Sequence, residues 1–169
     1  DASDPNEDDL AYTLRLRKDG WPEWITITEQ PLTEKTYNWD ATSVPAGLYR
    51  LRVVASDRPS NPADTAMSRE LESEPFVIDH LPPTVALTVE DRTVRVALKD
   101  DFTRIVRAAY SLDGGAWVPI FPEDGIFDAA SEAIRIDLGD ARPGAHVITV
   151  RATDAAGNIG AGDAVFRIK

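Results

Sequence analysis

One pattern occurs twice in this chain, and that repeat constrains the fold more than any other feature. The stretch AGLYRLRVVASDRPSN (46–61) returns as PGAHVITVRATDAAGN (143–158). In both, an Asp follows the Gly by ten residues and an Asn follows that Asp by four: Gly47, Asp57, Asn61 and Gly144, Asp154, Asn158. Between the anchors, Tyr49, Leu51, Val53 and Ala55 alternate with polar or outward positions, as do His146, Ile148, Val150 and Ala152. Such period-2 alternation buries one face and wets the other, which is the signature of an antiparallel strand.

The match runs further back. TYNWDATSVPAG aligns with AIRIDLGDARPG, and YTLRLRKDGWPEW with VRAAYSLDGGAW. Asp19-Gly20 and Asp113-Gly114 suit tight turns, because Gly accepts a positive φ and Asp tolerates it. Trp24 and Trp117 follow these turns and are expected to cap the core, whereas Trp21 has no counterpart and is expected to be exposed. Short strands between Gly, Pro and Asp turn signals predict an all-β chain of two tandem sandwiches. The second copy supplies seven predicted strands within 84–169, the size of an immunoglobulin-like sandwich. The expected boundaries are 1–79 for the first module, 80–83 for a Pro-rich linker containing Pro82-Pro83, and 84–169 for the second. Adjacent prolines stiffen a connection, which suggests a rod-like tandem.

The motif W-D-x(4)-P-x-G-x-Y-R-L-R-V-x-A-S-D (39–57), with S-N-P after it (60–62), resembles the last strands of bacterial fibronectin type III and related Ig-like modules. SEPFVIDHLPP (73–83) resembles the final strand and exit of such a module, and RATDAAGN (151–158) the matching stretch of bacterial Ig-like domains. The resemblance implies a non-catalytic module pair of a larger bacterial extracytoplasmic protein, secreted, periplasmic or on the cell surface. Its role would be that of a spacer or protein-interaction region beside neighbouring domains of the parent protein. An accessory carbohydrate-binding module, with Trp21 stacking on a glycan, and a calcium-rigidified adhesin segment are the alternatives.

Composition narrows the partners. Asp and Glu outnumber Lys and Arg 29 to 18, for a formal charge of −11. Such a surface repels phosphate backbones and anionic lipid, so neither nucleic acid nor membrane insertion is expected. The absence of cysteine excludes disulfides, thiolate metal sites and thiol catalysis. No resident cofactor and no catalytic residue is expected. Asp4, Asn6 and Asp8 match the first positions of a D-x-N-x-D calcium loop. Asp9 and Arg15, however, stand where that loop needs its Gly and its bidentate Glu. Asp57/Asn61 and Asp154/Asn158 are read as turn-holding pairs. His146 is read as a satisfied core histidine and His80 as a linker residue.

Two asymmetries separate the copies. The first carries about seven extra residues in 58–73, read as a surface insertion with a helical turn at ADTAMSREL. The second has sixteen residues before Asp100, whereas the first has three before its counterpart Asp4. The first module is therefore expected to lack its two opening strands. Either truncation or completion by another chain, including strand-completing self-association, would follow.

Overall fold

Alternation sets the strands. In the computed structural model, which describes residues 2–169, the first repeat forms β1 (Ala11–Lys18), β2 (Ile25–Thr26), β3 (Gly47–Ser56), β4 (Ser68–Glu72) and β5 (Phe76–Ile78). The second forms β6 (Thr84–Glu90), β7 (Thr93–Lys99), β8 (Ile105–Leu112), β9 (Val118–Ile120), β10 (Ser131–Asp137), β11 (Gly144–Asp154) and β12 (Ile159–Ile168). A 3-10 turn at Ala41–Ser43 is the one helical element among the described residues. The chain divides into two units between Ile78 and Asp79.

The second unit is an immunoglobulin/fibronectin-III-like sandwich. One sheet runs β10-β7-β6 and the other β12-β11-β8-β9, with every pairing antiparallel. Val94, Val96 and Leu98 on β7 and Ile134 and Ile136 on β10 form one wall of the core. Ile148, Val150 and Ala152 on β11, all fully buried, form the other. Each such aliphatic side chain contributes about 1.5–3 kcal/mol through burial. The turn after β8 takes the expected form, with Asp113 and Gly114 both at positive φ. Residues 79–83, expected as a linker in their last four positions, belong to this unit, with Leu81 and Pro82 exposed. Pro83 is buried, and its carbonyl passes so close to β12 that a Cβ at Gly160 would overlap it.

The first unit is a single sheet among the described residues: β2-β1-β3-β4, with β5 also on β3. Its apolar face pairs Tyr12, Leu14 and Leu16 with Ala55, Val53 and Leu51. Leu16, Tyr49 and Ile78 are buried there, and the segment between β2 and β3 lays Ile27, Trp39, Ala41 and Val44 over them. Leu51, Val53 and Ala55 stay half-exposed, although their counterparts Ile148, Val150 and Ala152 are sealed. Segment 36–40 matches β10 in sequence but forms no ladder. The reason is physical: β10 exists by pairing residue for residue with β7, and nothing in the first unit occupies that place.

The extra residues of 58–73 hold two tight turns, with Ser60 N and Asn61 N donating to Asp57 O, and Thr65 N and Ala66 N to Pro62 O. The expected helical turn stops there, because Ser68–Glu72 pair with β3 as β4. Ser73, Glu74 and Pro75 then interrupt the strand before β5. At the break the Ser73 hydroxyl accepts the Leu51 N–H at 2.9 Å, and the Ser73 N–H donates to Leu51 O at 2.8 Å.

Candidate functional site

Tyr49 and His146 do the same structural work with different chemistry. The Tyr49 hydroxyl donates to Pro45 O at 2.5 Å, four residues back, in the manner of a tyrosine corner. The ring stacks at a tilt on its cross-strand partner Phe76. His146 occupies the equivalent slot: its Nε2 is 2.7 Å from Arg142 O, also four residues back, and its ring stacks on Phe166. The expected core histidine is thus a corner residue. Its Nδ1 lies 2.7 Å from Asp113 Oδ2, and Asp113 Oδ1 accepts the Val147 N–H.

A carbonyl and a carboxylate both require donors, so the two nitrogens are best satisfied by the imidazolium. The bond to Asp113 and then that to Arg142 O raise the His146 pKa, against partial desolvation and the charge of Arg92. The bond from Val147 N–H and then that from His146 lower the Asp113 pKa. A raised histidine contributes stability in full below its unfolded value of about 6.5, and that stability is lost as pH rises through the raised value. A lowered aspartate contributes above about 3.9 and loses its share as pH falls through the lowered value. The second unit is therefore expected to melt highest between about pH 4 and 6.5 and to lose Tm toward pH 8. His146→Tyr should flatten the alkaline side of that profile in a thermal scan across pH.

Two acidic groups gather at the loops. The carboxylates of Asp79, Asp100 and Asp154 lie within 4.8 Å of one another, as do those of Asp4, Asp8 and Asp57. Asp154 is the counterpart of Asp57, and Asp100 that of Asp4, so the repeat has placed related groups in both units. Strand ends carry them: Asp154 closes β11, Asp57 follows β3, and Asp100 follows β7. The turn-holding reading fits Asp154, whose partners lie in its own turn. The Asp57 carboxylate instead reaches ten residues on, and the Asn61 amide donates to Asp8 Oδ2 at 2.9 Å. Asp154 accepts the Asn158 N–H and side-chain amide, both at 2.8 Å, and Asp57 accepts Met67 N at 2.7 Å. Asp100 Oδ1 accepts Phe102 N and Thr103 N, and Asp4 Oδ1 accepts Asn6 N in the same way. Asp79 accepts the Thr103 hydroxyl at 2.8 Å. Hard cations such as Ca²⁺ favour such convergent oxygens. Of the expected trio, Asp4 and Asp8 come together with Asp57, and Asn6 is exposed.

The tryptophans exchange their expected roles. Trp24 lies on the outer face of the first sheet, with the guanidinium groups of Arg17 and Arg52 over its ring at 4.6 and 4.1 Å. Trp117 is 42% exposed beneath Arg151 at 4.2 Å. Neither caps a core. The alternation of β1 and β3 sends Arg17 and Arg52 outward, and an arginine plane covers an indole face favourably there. Trp21 instead packs edge-on against Tyr49 at 5.8 Å, half-buried. It lines a cavity of about 330 Å³ together with Leu48, Tyr49, Pro75, Lys18 and Arg50.

No family model and no curated protein matches the chain. Solved structures do. They include the fibronectin(III)-like modules of CbhA from Clostridium thermocellum, at 19% identity and TM-score 0.38 over 93% of this chain and 77% of that one. The chicken interferon gamma receptor alpha chain is similar at 10% identity and TM-score 0.40, over 99% and 88%. The FN1–FN3 domains of chicken CNTN1 are similar at 15% identity and TM-score 0.35, over 95% and 55%. The architecture itself rests on the strand pairings and the repeated corner.

Asp79 is the functional candidate that the sequence reading missed. By sequence it stands at the end of the first module, whereas its side chain bonds Thr103 of the second unit. Its position 21 residues before Asp100 and 75 before Asp154 has no motif to betray it. Strand geometry alone joins the three.

Proposed function

We propose that this chain is a non-catalytic Ig/fibronectin-III-like module pair of a larger extracytoplasmic bacterial protein, serving to space or present neighbouring domains. The supporting observation is how the polar side chains are used. The buried aspartates Asp100 and Asp154 hold backbone turns, Asp57 ties the base of its loop to Met67 N, and His146 holds a strand corner. Exchange of both units, in the parent polypeptide, for an unrelated pair of sandwiches of equal length tests the role. Preserved activity of the neighbouring domains supports a spacer; lost binding of a partner protein assigns an interaction role instead.

A calcium-rigidified segment is the second reading, favoured by the two repeat-related carboxylate groups. A cation bound to the native state alone stabilises it by about 2.7 kcal/mol at a hundredfold excess over Kd. This reading expects the Tm to rise in millimolar Ca²⁺, to fall with chelator, and to lose the second unit's share of the response in Asp79→Asn. A flat response in the unaltered protein removes it. A glycan-binding role would use the cavity beside Trp21. It expects tryptophan fluorescence to change on titration with polysaccharide and the change to vanish in Trp21→Ala. Silence across a broad glycan panel counts against it.

A further inference from the structure

The outer face of the first sheet carries a charge pattern that its fold does not require. Register sets Arg15 opposite Arg52 and Arg17 opposite Arg50, so β1 and β3 hold two like-charged pairs side by side. Like charges facing one another across strands repel and cost stability. Relief is partial. Arg52 meets Glu70 at 3.1 Å and Glu72 at 3.4 Å, whereas Arg50 reaches Glu72 only at 3.6 Å. Among the described residues no carboxylate pairs with Arg15 or Arg17. The repeat shows that such strands form without these charges. Ala109 and Ser111 stand in the places of Arg15 and Arg17, Val147 and Thr149 in those of Arg50 and Arg52, and Gly115 in that of Trp21. The arginines and the indole are additions to the shared plan.

Those additions meet at the cavity of about 330 Å³ where β1 ends and β3 begins. Its lining sets Arg17, Lys18 and Arg50 against one acid, the exposed Asp19, and includes Trp21, which Tyr49 braces at 5.8 Å. Lys18 is fixed in place, its Nζ donating to Ala46 O at 2.7 Å. Arg50 is held loosely, by Glu72 at 3.6 Å and by Ser73 O at 3.5 Å. Arg17 lies over the Trp24 ring, and its guanidinium finds no hydrogen-bond acceptor among the described residues. An arginine fork matches paired anionic oxygens. Resting on the glycan reading of this cavity, we infer that its ligand is an acidic saccharide. One ring stacks on Trp21 while its carboxylate or sulfate is held by Arg17 and Arg50. The volume lies at the lower end of ligand pockets, about 300–1,000 Å³, and suits a single ring. Arg15 and Arg52 continue the row two residues on, about 6.5–7 Å along each strand, where further charges of a polymer would lie. The net charge of −11 opposes a polyanion from afar. Screening over about 8 Å at physiological ionic strength leaves the nearest cations to decide. A run of aspartate or glutamate would satisfy the arginines and leave the indole unused; the sugar uses both.

Calorimetric titration and tryptophan fluorescence of the full chain test this, with polygalacturonate as the carboxylated probe, dextran sulfate as the sulfated one and dextran as the neutral one. An acidic polymer should bind and shift the fluorescence, and dextran should not; which acidic polymer binds decides between carboxylate and sulfate. Arg17→Gln and Arg50→Gln should each weaken binding about tenfold, the worth of a hydrogen bond to a charged group. Arg95→Gln, exposed on the second unit, should leave the affinity unchanged. Native hydrogen-exchange protection of β1 and β3 in the variants ties the loss to the site. Undiminished binding in both arginine variants overturns the proposal. So does equally tight binding of polyglutamate, which would assign the arginines to an acidic polypeptide. Binding of neutral glycans alone, abolished in Trp21→Ala, overturns the acidic class and leaves the glycan reading standing. Silence with every polymer removes both.

Discussion

Tyr49→Ala is expected to unfold the first unit while the second stays folded. Tyr49 is 1% exposed, and the buried cluster around it holds just Leu16 and Ile78 besides. Truncating a fully buried aromatic costs about 3–5 kcal/mol, against total stabilities of about 5–15 kcal/mol for whole domains. A one-sheet unit belongs near the bottom of that range, so the loss is comparable to all it has. The ring also supports Trp21 and Phe76 on either side, and both would lose their packing partner. Tyr49→Phe separates the parts, since it removes only the bond to Pro45 O, which is worth about 0.5–1.5 kcal/mol. Residue-resolved hydrogen exchange reads both variants. Native protection of β1 and β3 in Tyr49→Ala would show that the unit draws its stability from elsewhere.

The largest expected effect in the second unit comes from adding atoms. At Gly160 a Cβ meets the Pro83 carbonyl, and at Gly162 it meets that of Val85. These are backbone obstacles, which cannot rotate aside as the end of a side chain can. Gly160→Val must therefore push β6 off β12 or bend β12 away from it. Overpacking of this kind costs roughly 1–3 kcal/mol, sometimes more. For a unit of this size, each 1 kcal/mol lowers Tm by about 4–8 °C. Ala161→Val, one residue on and exposed, is the matched control and should stay within about 0.5 kcal/mol. Equal melting of the two variants would mean that β6 is free to move, and that Pro83 is not held against β12.

The strands were legible because alternation and turn residues are local. Gly47/Gly144 and Asp57/Asp154 set the register of the repeat, and from there the slot shared by Tyr49 and His146 could be read directly. Placing His146 inward was correct for that reason. Its partner Asp113 was out of reach, because a contact 33 residues away depends on how β8 and β11 pair. The tryptophans failed for a related cause. Position after a hairpin does not say which face an indole takes, and the arginines that claim Trp24 and Trp117 sit on other strands. Trp21 was expected outside because it had no counterpart, yet a lone residue can be the one that fills a local gap beside Tyr49. The carboxylate groups were half legible: Asp57 and Asp154 stood out by repetition, whereas Asp79 needed the fold.

The interruption at Ser73–Pro75 bears on how the protein behaves when crowded. An edge strand offers its unpaired N–H and C=O groups to any passing strand, and long regular edges nucleate aggregation. β4 is five residues long, wholly exposed, and carries Arg69, Glu70 and Glu72 before the chain breaks step. A foreign strand adding there would find a short, charged template that ends where Pro75 has no hydrogen to give. The first unit, open on its apolar face, is thus guarded along its rim.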